Sequence, residues 1–264
     1  MKPVILFRDS SHAPGEMSVA SKHCNVVPHR TQCSDRIVYG RYSCLPFYEE
    51  LEEELLSLGS QLVNSYAQHQ YIADFQYYHD VAKYTFPSWH NLADTTYGGP
   101  FVIKGRTNSR KHQWDTHMFA ADRSRAMDVA SELNNDGLIG FQNLIYRKYI
   151  PLKTFEVGLH DARFCNEWRI FYLGNKRLAH GFYWSQLDDL SQIYIQPEAF
   201  ELADEVAKIV SESVNFFVLD VAEKEDGGWI LVEVNDAQQS GLSMIDPEEF
   251  YGNLSKEMEH FSPI

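Results

Sequence analysis

The sequence predicts an α/β protein whose N-terminal part carries a mainly parallel sheet. Apolar, strand-like runs alternate with helical spacing over the first 85 or so residues, which is the order of βα units. Two later patterns with glycine at the turn predict antiparallel hairpins. Pro87 and then Gly98-Gly99-Pro100 interrupt the alternation of strands and helices and mark a segment boundary, and Pro151 marks another. We therefore expect three segments, residues 1–85, 86–150 and 151–264.

The overall composition is that of an ordinary folded protein with an acidic balance. The 264 residues are 44% hydrophobic and 23% charged, with a formal net charge of −14, so a large core is available. This charge argues against broad binding of nucleic acid or anionic membranes, which requires a surplus of Lys and Arg. The first apolar run is too short for a signal peptide, and none approaches the roughly 20 residues of a membrane span. We expect a cytoplasmic protein, and the sequence leaves the oligomeric state open.

The four cysteines do not form a recognisable disulfide framework in a chain of this length. One group of side chains within eleven residues has donor atoms suited to zinc: His23, Cys24, His29 and Cys33. Its spacing matches no usual zinc motif, so a loop with incidental thiols is the favoured interpretation.

The N-terminal segment reads in order as strand, loop, strand, helix, strand and helix. These elements are predicted at residues 4–7, 10–21, 36–42, 47–59, 61–66 and 70–84. Ligands of parallel sheets bind beyond the carboxyl ends of the strands. We call this edge of the sheet its mouth. Residues expected at the mouth are His12, Asn64, Ser65, Tyr66 and His69. Ordinary turn residues and helix caps are the alternative interpretation of each.

A strand ending in a lysine opens the middle segment, and a basic loop follows it. Residues 101–104 form the strand, and four cations lie between residues 104 and 111: Lys104, Arg106, Arg110 and Lys111. Such a loop supplies charge and hydrogen-bond donors for phosphates; a nucleic-acid contact is the alternative. A returning strand at 114–119, a helix at 122–133 and a strand at 143–152 complete the segment.

The C-terminal segment begins with a hairpin over residues 167–184 that turns at Gly174-Asn175. Glu167 and Arg169 alternate with apolar residues and so share one face of the strand. An amphipathic helix over residues 197–214 then leads into a second hairpin.

This second hairpin carries polar groups inside apolar strands. With Asp226-Gly227 as the turn, Asp220 lies opposite Glu233; with the turn one residue later, it lies opposite Asn235. All three polar side chains share a face in either register. Facing acids repel unless a cation lies between them, and oxygen donors of this kind suit Mg²⁺. A solvated face of an edge hairpin is the alternative.

The order of these motifs resembles the ATP-grasp superfamily, and it is most similar to the clade named for one arginine and two lysines, found largely in bacteria and phages. The resemblance covers about residues 85–250. It rests on the Lys104 strand, the basic loop, the strand at 146–150, the Glu167-Trp168-Arg169 hairpin, and Asp220 with Glu233-Val234-Asn235. It implies an N-terminal α/β lobe followed by two α+β subdomains that sandwich a nucleotide.

The resemblance also assigns roles to individual residues. Asp220, Glu233 and Asn235 would bind Mg²⁺. Arg169 and Lys111 would serve catalysis, Arg169 at the γ-phosphate or an acyl phosphate and Lys111 as the clade's second lysine. The residues that the resemblance places around ATP are Lys104, Lys111, Arg147, Lys148, Tyr149, Ile150, Glu167 and Arg169, with the backbone of 148–150 facing adenine.

The activity that the resemblance implies is ATP-dependent ligation of a carboxylate to an amine, through an acyl phosphate and with release of ADP and phosphate. The substrates would be small molecules or peptides, held between the N-terminal lobe and Arg169, with Asn64, Tyr66 and residues 235–240 as candidate contacts. A kinase-like phosphotransferase and a non-catalytic nucleotide-binding interaction protein are the alternatives.

Overall fold

The computed structural model describes residues 2–8, 15–158, 161, 163–185 and 193–264. His12, one of the expected mouth residues, lies outside this part of the chain. The described residues form three four-stranded sheets and one two-stranded sheet. One sheet lies before residue 86, one between residues 86 and 150, and two after residue 150. No described helix has the length and apolar character that crossing a membrane requires.

The first sheet is parallel between all of its neighbouring strands, as predicted. Its buried strands are short runs of β-branched and aromatic residues. The elements of this region are β1 (Lys2–Phe7), α1 (Glu16–His23), β2 (Val26–Val27), β3 (Arg36–Arg41), α2 (Tyr48–Ser57), β4 (Gln61–Leu62), α3 (Tyr66–Ala73) and α4 (Tyr78–Val81). The strand order is β2-β1-β3-β4.

Two predictions for this region were wrong. The expected loop at 10–21 contains α1, whose first residue, Glu16, accepts a 2.6 Å hydrogen bond from the buried guanidinium of Arg41. The expected helix at 70–84 is interrupted, because the backbone of Phe75 turns to a φ of +63° and its ring stacks on Tyr78 at 5.1 Å. In both places a tertiary contact decides the local structure, and periodicity does not reveal it.

The second sheet is antiparallel and has the order β5-β8-β6-β7. Its elements are β5 (Ser88–Trp89), β6 (Phe101–Gly105), α5 (Trp114–His117), β7 (Phe119–Ala120), α6 (Arg123–Asn134) and β8 (Leu144–Lys148). Phe101 and Ile103 pack in the core shared with α6. Val102 and Lys104 alternate with them and therefore project from the opposite face.

The prediction of a returning strand over residues 114–119 was wrong in its first part. Residues 114–117 form α5, and only Phe119 and Ala120 pair with β6. The helical turn lets Trp114 stack on Phe119, with ring centroids 6.1 Å apart. Packing between these rings replaces the expected extended strand.

The C-terminal sheet is antiparallel, in the order β12-β11-β13-β14, and a small hairpin of β9 and β10 precedes it. The elements are β9 (Thr154–Val157), β10 (Arg163–Cys165), β11 (Glu167–Leu173), β12 (Lys176–Phe182), α7 (Pro197–Val210), β13 (Phe216–Glu223), β14 (Trp229–Asp236) and α8 (Pro247–Met258). Ala203 and Val206 of α7 share one core with Leu219. Phe250 of α8 shares the other core with Val218, so the two helices cover opposite faces of the sheet.

Two buried asparagines join the first sheet to the C-terminal sheet. Asn64 donates to the carbonyl of Phe216 at 2.6 Å and accepts from its N–H at 2.8 Å. Asn215 donates to the carbonyl of Val63 at 2.6 Å. Buried amides need such partners because desolvation is otherwise uncompensated. Asn64, an expected mouth and substrate residue, therefore has its side chain bonded within the fold.

Candidate active site

One face of the C-terminal sheet changes from apolar to charged along its length. Val218 lies in the core on this face, whereas the next row of residues is charged. Arg169, Asp220 and Glu233 lie side by side on three neighbouring strands. Directly opposite residues share a face of a sheet, and Asn235, two residues beyond Glu233, projects from the same side. The predicted pairing of Asp220 with Glu233 is confirmed.

The hairpin reaches this register by a route that differs from the predicted one. Lys224 and Gly228 close a longer loop, with the N–H of Lys224 donating to the carbonyl of Gly228 at 2.9 Å. The register set by this loop continues as far as the pair of Val221 and Leu231. Val232 then forms a β-bulge that shifts the pairing by one residue. The predicted turn was therefore wrong by one residue, and the bulge restores the predicted pairing of the acids.

Arg169 and Asp220 form a two-point ion pair at the centre of this row. Nε and Nη2 of Arg169 donate to the two carboxylate oxygens of Asp220, each at 2.9 Å. Nη1 of Arg169 donates to the carbonyl of Gly241 at 2.9 Å, and Asn235 donates to Asp220 at 3.1 Å. Burial lowers the pKa of Arg169, but Asp220, Tyr183 and Glu167 together raise it, so its net pKa lies above the ordinary value. The guanidinium is held charged in a fixed orientation.

Lys104 reaches this row from the second sheet and bonds to Glu233. Its ammonium nitrogen Nζ donates to Oε1 of Glu233, and the lysine is 7% exposed. Burial raises the pKa of the Glu233 carboxyl, but Lys104, Lys111 and Arg147 together lower it, and the net pKa lies below the ordinary value. Burial also lowers the pKa of Lys104, which Glu233 opposes. The structure thus brings the predicted phosphate lysine and a predicted metal ligand together.

Lys111 makes a second pair of the same kind with Glu167. Its Nζ lies 3.3 Å from Oε1 of Glu167 and 4.0 Å from the centroid of the Tyr183 ring. Burial lowers the pKa of Lys111, but Glu167 and the other nearby acidic groups raise it above its ordinary value. Burial raises the pKa of Glu167, and Lys111 opposes that shift. Lys111 is therefore fixed beside the charged row by an acid and an aromatic face.

The other cations of the basic loop are bound to neighbouring acids. Arg106 donates to Asp74, and Arg110 makes a two-point contact with Asp136 at 2.7 and 2.6 Å. The loop side chains that line the adjoining cleft are those of Ser109 and Lys111. The predicted cationic loop is present, and of its four cations Lys104 and Lys111 line the cleft.

An apolar cleft of about 870 Å³, counting its open mouth, adjoins the charged row. Lys104, Lys111, Glu167 and Glu233 lie at one end. Its apolar lining includes Phe86, Val102, Met118, Ile150, Leu152 and Trp184.

The predicted hinge, residues 148–150, forms part of the cleft wall. The N–H groups of Lys148 and Tyr149 donate to the carbonyls of Pro87 and Pro100, at 2.8 and 2.9 Å. A proline has no N–H to donate in return, so the carbonyls of Lys148 and Tyr149 keep acceptor capacity. Within the described part of the chain, the N–H of Ile150 has no acceptor. The hinge thus offers both donors and acceptors from its backbone.

Arg147 lines the cleft, but its guanidinium is bound to protein. Nη1 donates to the carbonyl of Val232 at 2.8 Å. The guanidinium carbon lies 5.5 Å from the Phe75 ring centroid and 5.3 Å from that of Phe86. Nε and Nη2 are buried and have no hydrogen-bond partner among the described residues. Arg147 therefore lies in the cleft where a nucleotide contact is expected, and its Nη1 also bonds to β14.

Residues that the sequence did not single out also shape the site. Tyr183 and Trp184 directly follow β12 and lie beside Lys111, with the Tyr183 ring also 4.9 Å from the guanidinium of Arg169. The signal for them is an aromatic pair at the end of a predicted hairpin strand. No sequence pattern marks Thr85, which donates to the carbonyl of Leu231 at 2.8 Å.

The remaining expected mouth residues have local structural partners. Ser65 caps α3 by accepting from the N–H of Gln68 at 3.2 Å. His69 lies 3.0 Å from Asp236, whose side chain also accepts from Asn64. Tyr66 is partly buried against the core of the first sheet. Ser65 fits the helix-cap alternative, and the contacts of His69 and Tyr66 likewise lie within the fold.

The surroundings of three cysteines favour the neutral thiol over the thiolate. Burial raises the pKa of Cys24, Cys33 and Cys165 to about 11, and the thiolate is the reactive form. His23 is bonded to Glu248 at 2.7 Å. No three His, Cys, Asp or Glu side chains of the described residues are grouped as metal ligands.

The charged row nevertheless has a donor set that fits Mg²⁺. Asp220, Glu233 and Asn235 supply two carboxylates and one amide on one face. Mg²⁺ prefers oxygen donors and is commonly bound through one or two carboxylates, with water and phosphate oxygens completing its shell. A set of two acids is therefore sufficient beside a phosphate site, although it would not form an all-protein cage.

Comparison with known families identifies the region that holds these residues. A family model described as the ATP-grasp domain of R2K clade family 3 matches residues 94–254. This range contains the Lys104 strand, the hinge and both hairpins of the charged row. A search of curated protein sequences finds no significant match.

Solved structures show the same fold over nearly the whole chain. D-cycloserine synthetase DcsG is 13% identical with a TM-score of 0.58, over 97% of this chain and 99% of that one. D-alanine–D-alanine ligase from Bacillus anthracis, solved with ATP, is 13% identical with a TM-score of 0.57, over 97% and 94%. The ATP-grasp ligase PsnB, solved with a minimal precursor, Mg and ADP, is 11% identical with a TM-score of 0.57, over 97% and 96%. The α/β architecture is thus an ATP-grasp fold.

Proposed function

This chain belongs to R2K clade family 3 of the ATP-grasp domains, and from that premise we propose that it is an ATP-dependent carboxylate–amine ligase. The observation that carries the proposal is the set of three cation–carboxylate pairs beside an apolar cleft. Lys104 pairs with Glu233, Lys111 with Glu167, and Arg169 with Asp220. Such a set provides both the cations for a polyphosphate and the carboxylates for its counter-ion.

In this proposal the nucleotide base occupies the apolar part of the cleft. The backbone of Lys148, Tyr149 and Ile150 provides donors and acceptors for its edge. Lys104 and Lys111 lie at the charged end and bind the phosphates. Glu167 keeps Lys111 in place through the 3.3 Å contact, and so belongs to the nucleotide site as a positioning group.

Asp220, Glu233 and Asn235 would hold Mg²⁺ in this site. A bound Mg²⁺ neutralises phosphate charge and orients the phosphoryl group. Asn235 is 3.1 Å from Asp220 and 3.5 Å from Glu233, so it maintains the spacing of the two acids. The three side chains come from one hairpin, which makes their relative positions a property of its register.

The reaction is phosphoryl transfer followed by acyl transfer. A substrate carboxylate oxygen attacks the γ-phosphorus of ATP, and the bond to ADP breaks, giving an acyl phosphate. A substrate amine then attacks the acyl carbon, phosphate leaves, and the amine loses a proton. Arg169, fixed by Asp220 and the carbonyl of Gly241, stabilises the charge that develops on the transferred group.

The substrates approach from the side of Arg169 that faces the N-terminal sheet. Tyr42, at the carboxyl end of β3, bonds to Arg41 and Glu16. Arg41 in turn donates to the carbonyls of Ala237 and Ser240. These bonds fix the loop after β14 next to Gly241. Its backbone is the part of residues 235–240 that we propose as a substrate contact, for a small molecule or a peptide.

The test is release of ADP and phosphate from ATP by the whole chain, screened over amino acids and peptides as carboxylates and amines. Wild type should release ADP only when a productive pair is present, and should form an amide in equal amount. Lys104→Ala should abolish turnover because the phosphates lose a buried cation. Lys153→Ala is the matched control, since Lys153 pairs with Glu223 at 2.9 Å outside the cleft.

Other products would contradict the proposal. Formation of AMP and pyrophosphate would exclude an acyl-phosphate route. A stable phosphorylated product without an amide would instead identify a phosphotransferase. Full activity of Lys104→Ala would contradict the proposed position of the nucleotide site.

A further inference from the structure

The position of Glu233 depends on the bulge at Val232. The loop between Lys224 and Gly228 sets a register that would place Val232 opposite Asp220 and Glu233 opposite Leu219. A slip of one residue sends a side chain to the other face of the sheet. Glu233 would then point into the apolar core that contains Leu219. The bulge is therefore what brings Glu233 to the charged face.

A bulged residue has lost its place in the strand ladder, so its backbone needs another partner. Here the carbonyl of Val232 accepts a 2.8 Å hydrogen bond from Nη1 of Arg147. The preceding carbonyl, of Leu231, accepts a 2.8 Å bond from Thr85. Both donors lie outside the hairpin, and Arg147 lies on β8, immediately before the hinge.

The guanidinium of Arg147 remains in this position although part of its bonding capacity is unused. Arg147 is 5% exposed, and its Nε and Nη2 have no partner among the described residues. Buried donors without partners are costly, and the rings of Phe75 and Phe86 offset this only in part. The one hydrogen bond that its guanidinium makes with the described residues is directed to the bulge.

We propose that Arg147 is a positioning residue for Glu233, acting through the carbonyl of the bulged Val232. This rests on the proposed function, in which Glu233 is a metal ligand. Arg147 and Lys104 project from the same face, since Val102 pairs with Arg147 and Lys104 with Ile145. The second sheet thus contacts the side chain of Glu233 through Lys104 and the preceding carbonyl, of Val232, through Arg147.

The first measurement is hydrogen exchange of the ligand-free protein. Arg147→Met should raise the exchange rate of amides in residues 230–234 about tenfold, and Arg147→Lys, which keeps one donor, should raise it less. Arg123→Met is the matched control. Its guanidinium also bonds to backbone carbonyls, those of Leu92, Thr95 and Tyr97, but does not contact β14. It should leave exchange at 230–234 unchanged.

The second measurement is the affinity for Mn²⁺, by electron paramagnetic resonance, in the presence of a nonhydrolysable ATP analogue. Loss of a group that orients a metal ligand typically weakens metal binding about 10- to 100-fold. Arg147→Met should show a loss of this size, while its affinity for the analogue without metal should change less than about threefold. Arg147→Lys should recover part of the loss.

Two results would overturn the inference. Unchanged exchange at residues 230–234 in Arg147→Met would mean that Arg147 does not hold the bulge. An equal loss of nucleotide affinity with and without metal would mean that Arg147 contacts the nucleotide directly. If wild type binds neither ligand, the proposed function fails, whereas the exchange measurement still decides whether Arg147 holds the bulge.

Discussion

At the scale of single residues, the pairing of Arg169 with Asp220 combines burial with opposite charge. The side chain of Asp220 is 1% exposed and that of Arg169 is 11% exposed. Taking these charges out of water is costly, and their mutual attraction repays that cost only while both partners remain. The pair is therefore weak evidence for extra stability, but either partner becomes destabilising when it is left alone.

Asp220→Asn should consequently destabilise the protein by about 3 kcal/mol, the usual cost of breaking a buried pair. Urea unfolding at neutral pH measures it. Glu54→Gln is the control: Glu54 and its partner Arg30 are 49% and 46% exposed, so the loss should be below about 1 kcal/mol. Equal losses in the two variants would contradict the role of burial.

His180 should make stability depend on pH. Burial lowers the pKa of His180 below the ordinary value; Glu249 opposes this and Arg177 adds to it. The unfolded chain therefore gains a proton at a higher pH than the folded one does. The stability that neutral His180 contributes is fully present above its ordinary pKa, about 6.5. This stability is lost as the pH falls toward the lower pKa of His180 in the folded protein.

Wild type should thus lose more stability than His180→Gln between pH 7.5 and pH 5. Urea unfolding at several pH values measures the difference. His260→Gln, at an exposed position, should lose as much as wild type over this range. Parallel profiles for wild type and His180→Gln would contradict the prediction.

The sequence was informative about which residues carry charge into apolar strands, and uninformative about what those residues touch. Asp220, Glu233 and Lys104 stand out because a carboxylate or ammonium interrupts a run of β-branched residues. The bond from Arg147 to Val232 joins positions far apart in the chain. No local pattern encodes such a contact, so Arg147 could be placed near the site but not given its partner.

At the scale of secondary-structure elements, the hairpin of β13 and β14 depends on its loop. Gly227 has a φ of +92°, a conformation that costs an L residue about 1 to 2 kcal/mol. A Cβ at this glycine meets nothing within 4 Å, so the strain would be purely a backbone effect. Gly227→Ala should lower the free energy of unfolding by about 1 kcal/mol.

Gly137→Ala is the matched control for the hairpin. A Cβ there also meets nothing within 4 Å, and the backbone of Gly137 is not left-handed. This variant should be as stable as wild type or slightly more stable, because alanine restricts the unfolded chain. A loss in Gly137→Ala as large as that in Gly227→Ala would show that the loop conformation is not the cause.

The elements that the sequence predicted correctly have strong local signals. The hairpin of β11 and β12 turns at Gly174, whose φ is +55°, and α6 begins after Asp122, which caps it. The element predicted wrongly at 114–119 is short, and packing between Trp114 and Phe119 decides its form. Helix α8 was not predicted, because its apolar residues are recognised as a buried face only once the sheet that they cover is known.

At the scale of the whole molecule, the site is assembled from regions that the sequence presents separately. Lys104 comes from the second sheet, Glu233 from the C-terminal sheet, and the loop beside Arg169 is held by Arg41 of the first sheet. The order of motifs grouped these residues in one site, and the structure brings their side chains into contact; their roles stay a prediction. The ion pair between Lys104 and Glu233 follows only from the three-dimensional arrangement.

This arrangement predicts that nucleotide and Mg²⁺ stabilise the protein jointly. Mg²⁺ alone must compete with Lys104 for Glu233, and phosphate alone must compete with Glu233 for Lys104. Together the two ligands replace both halves of the pair, so each lowers the cost of binding the other. At a hundredfold excess over its Kd, a ligand adds about 2.7 kcal/mol, which is roughly 5 to 10 °C in a chain of this size.

Thermal unfolding with a nonhydrolysable ATP analogue, with Mg²⁺, and with both measures this coupling. The increase with both ligands should exceed the sum of the separate increases, and chelation of the metal should reverse the excess. Glu233→Gln should lose the excess while still binding the analogue without metal, because Lys104 is then released from its carboxylate. Strictly additive shifts in wild type would show that Lys104 and Glu233 do not exchange partners when the ligands bind.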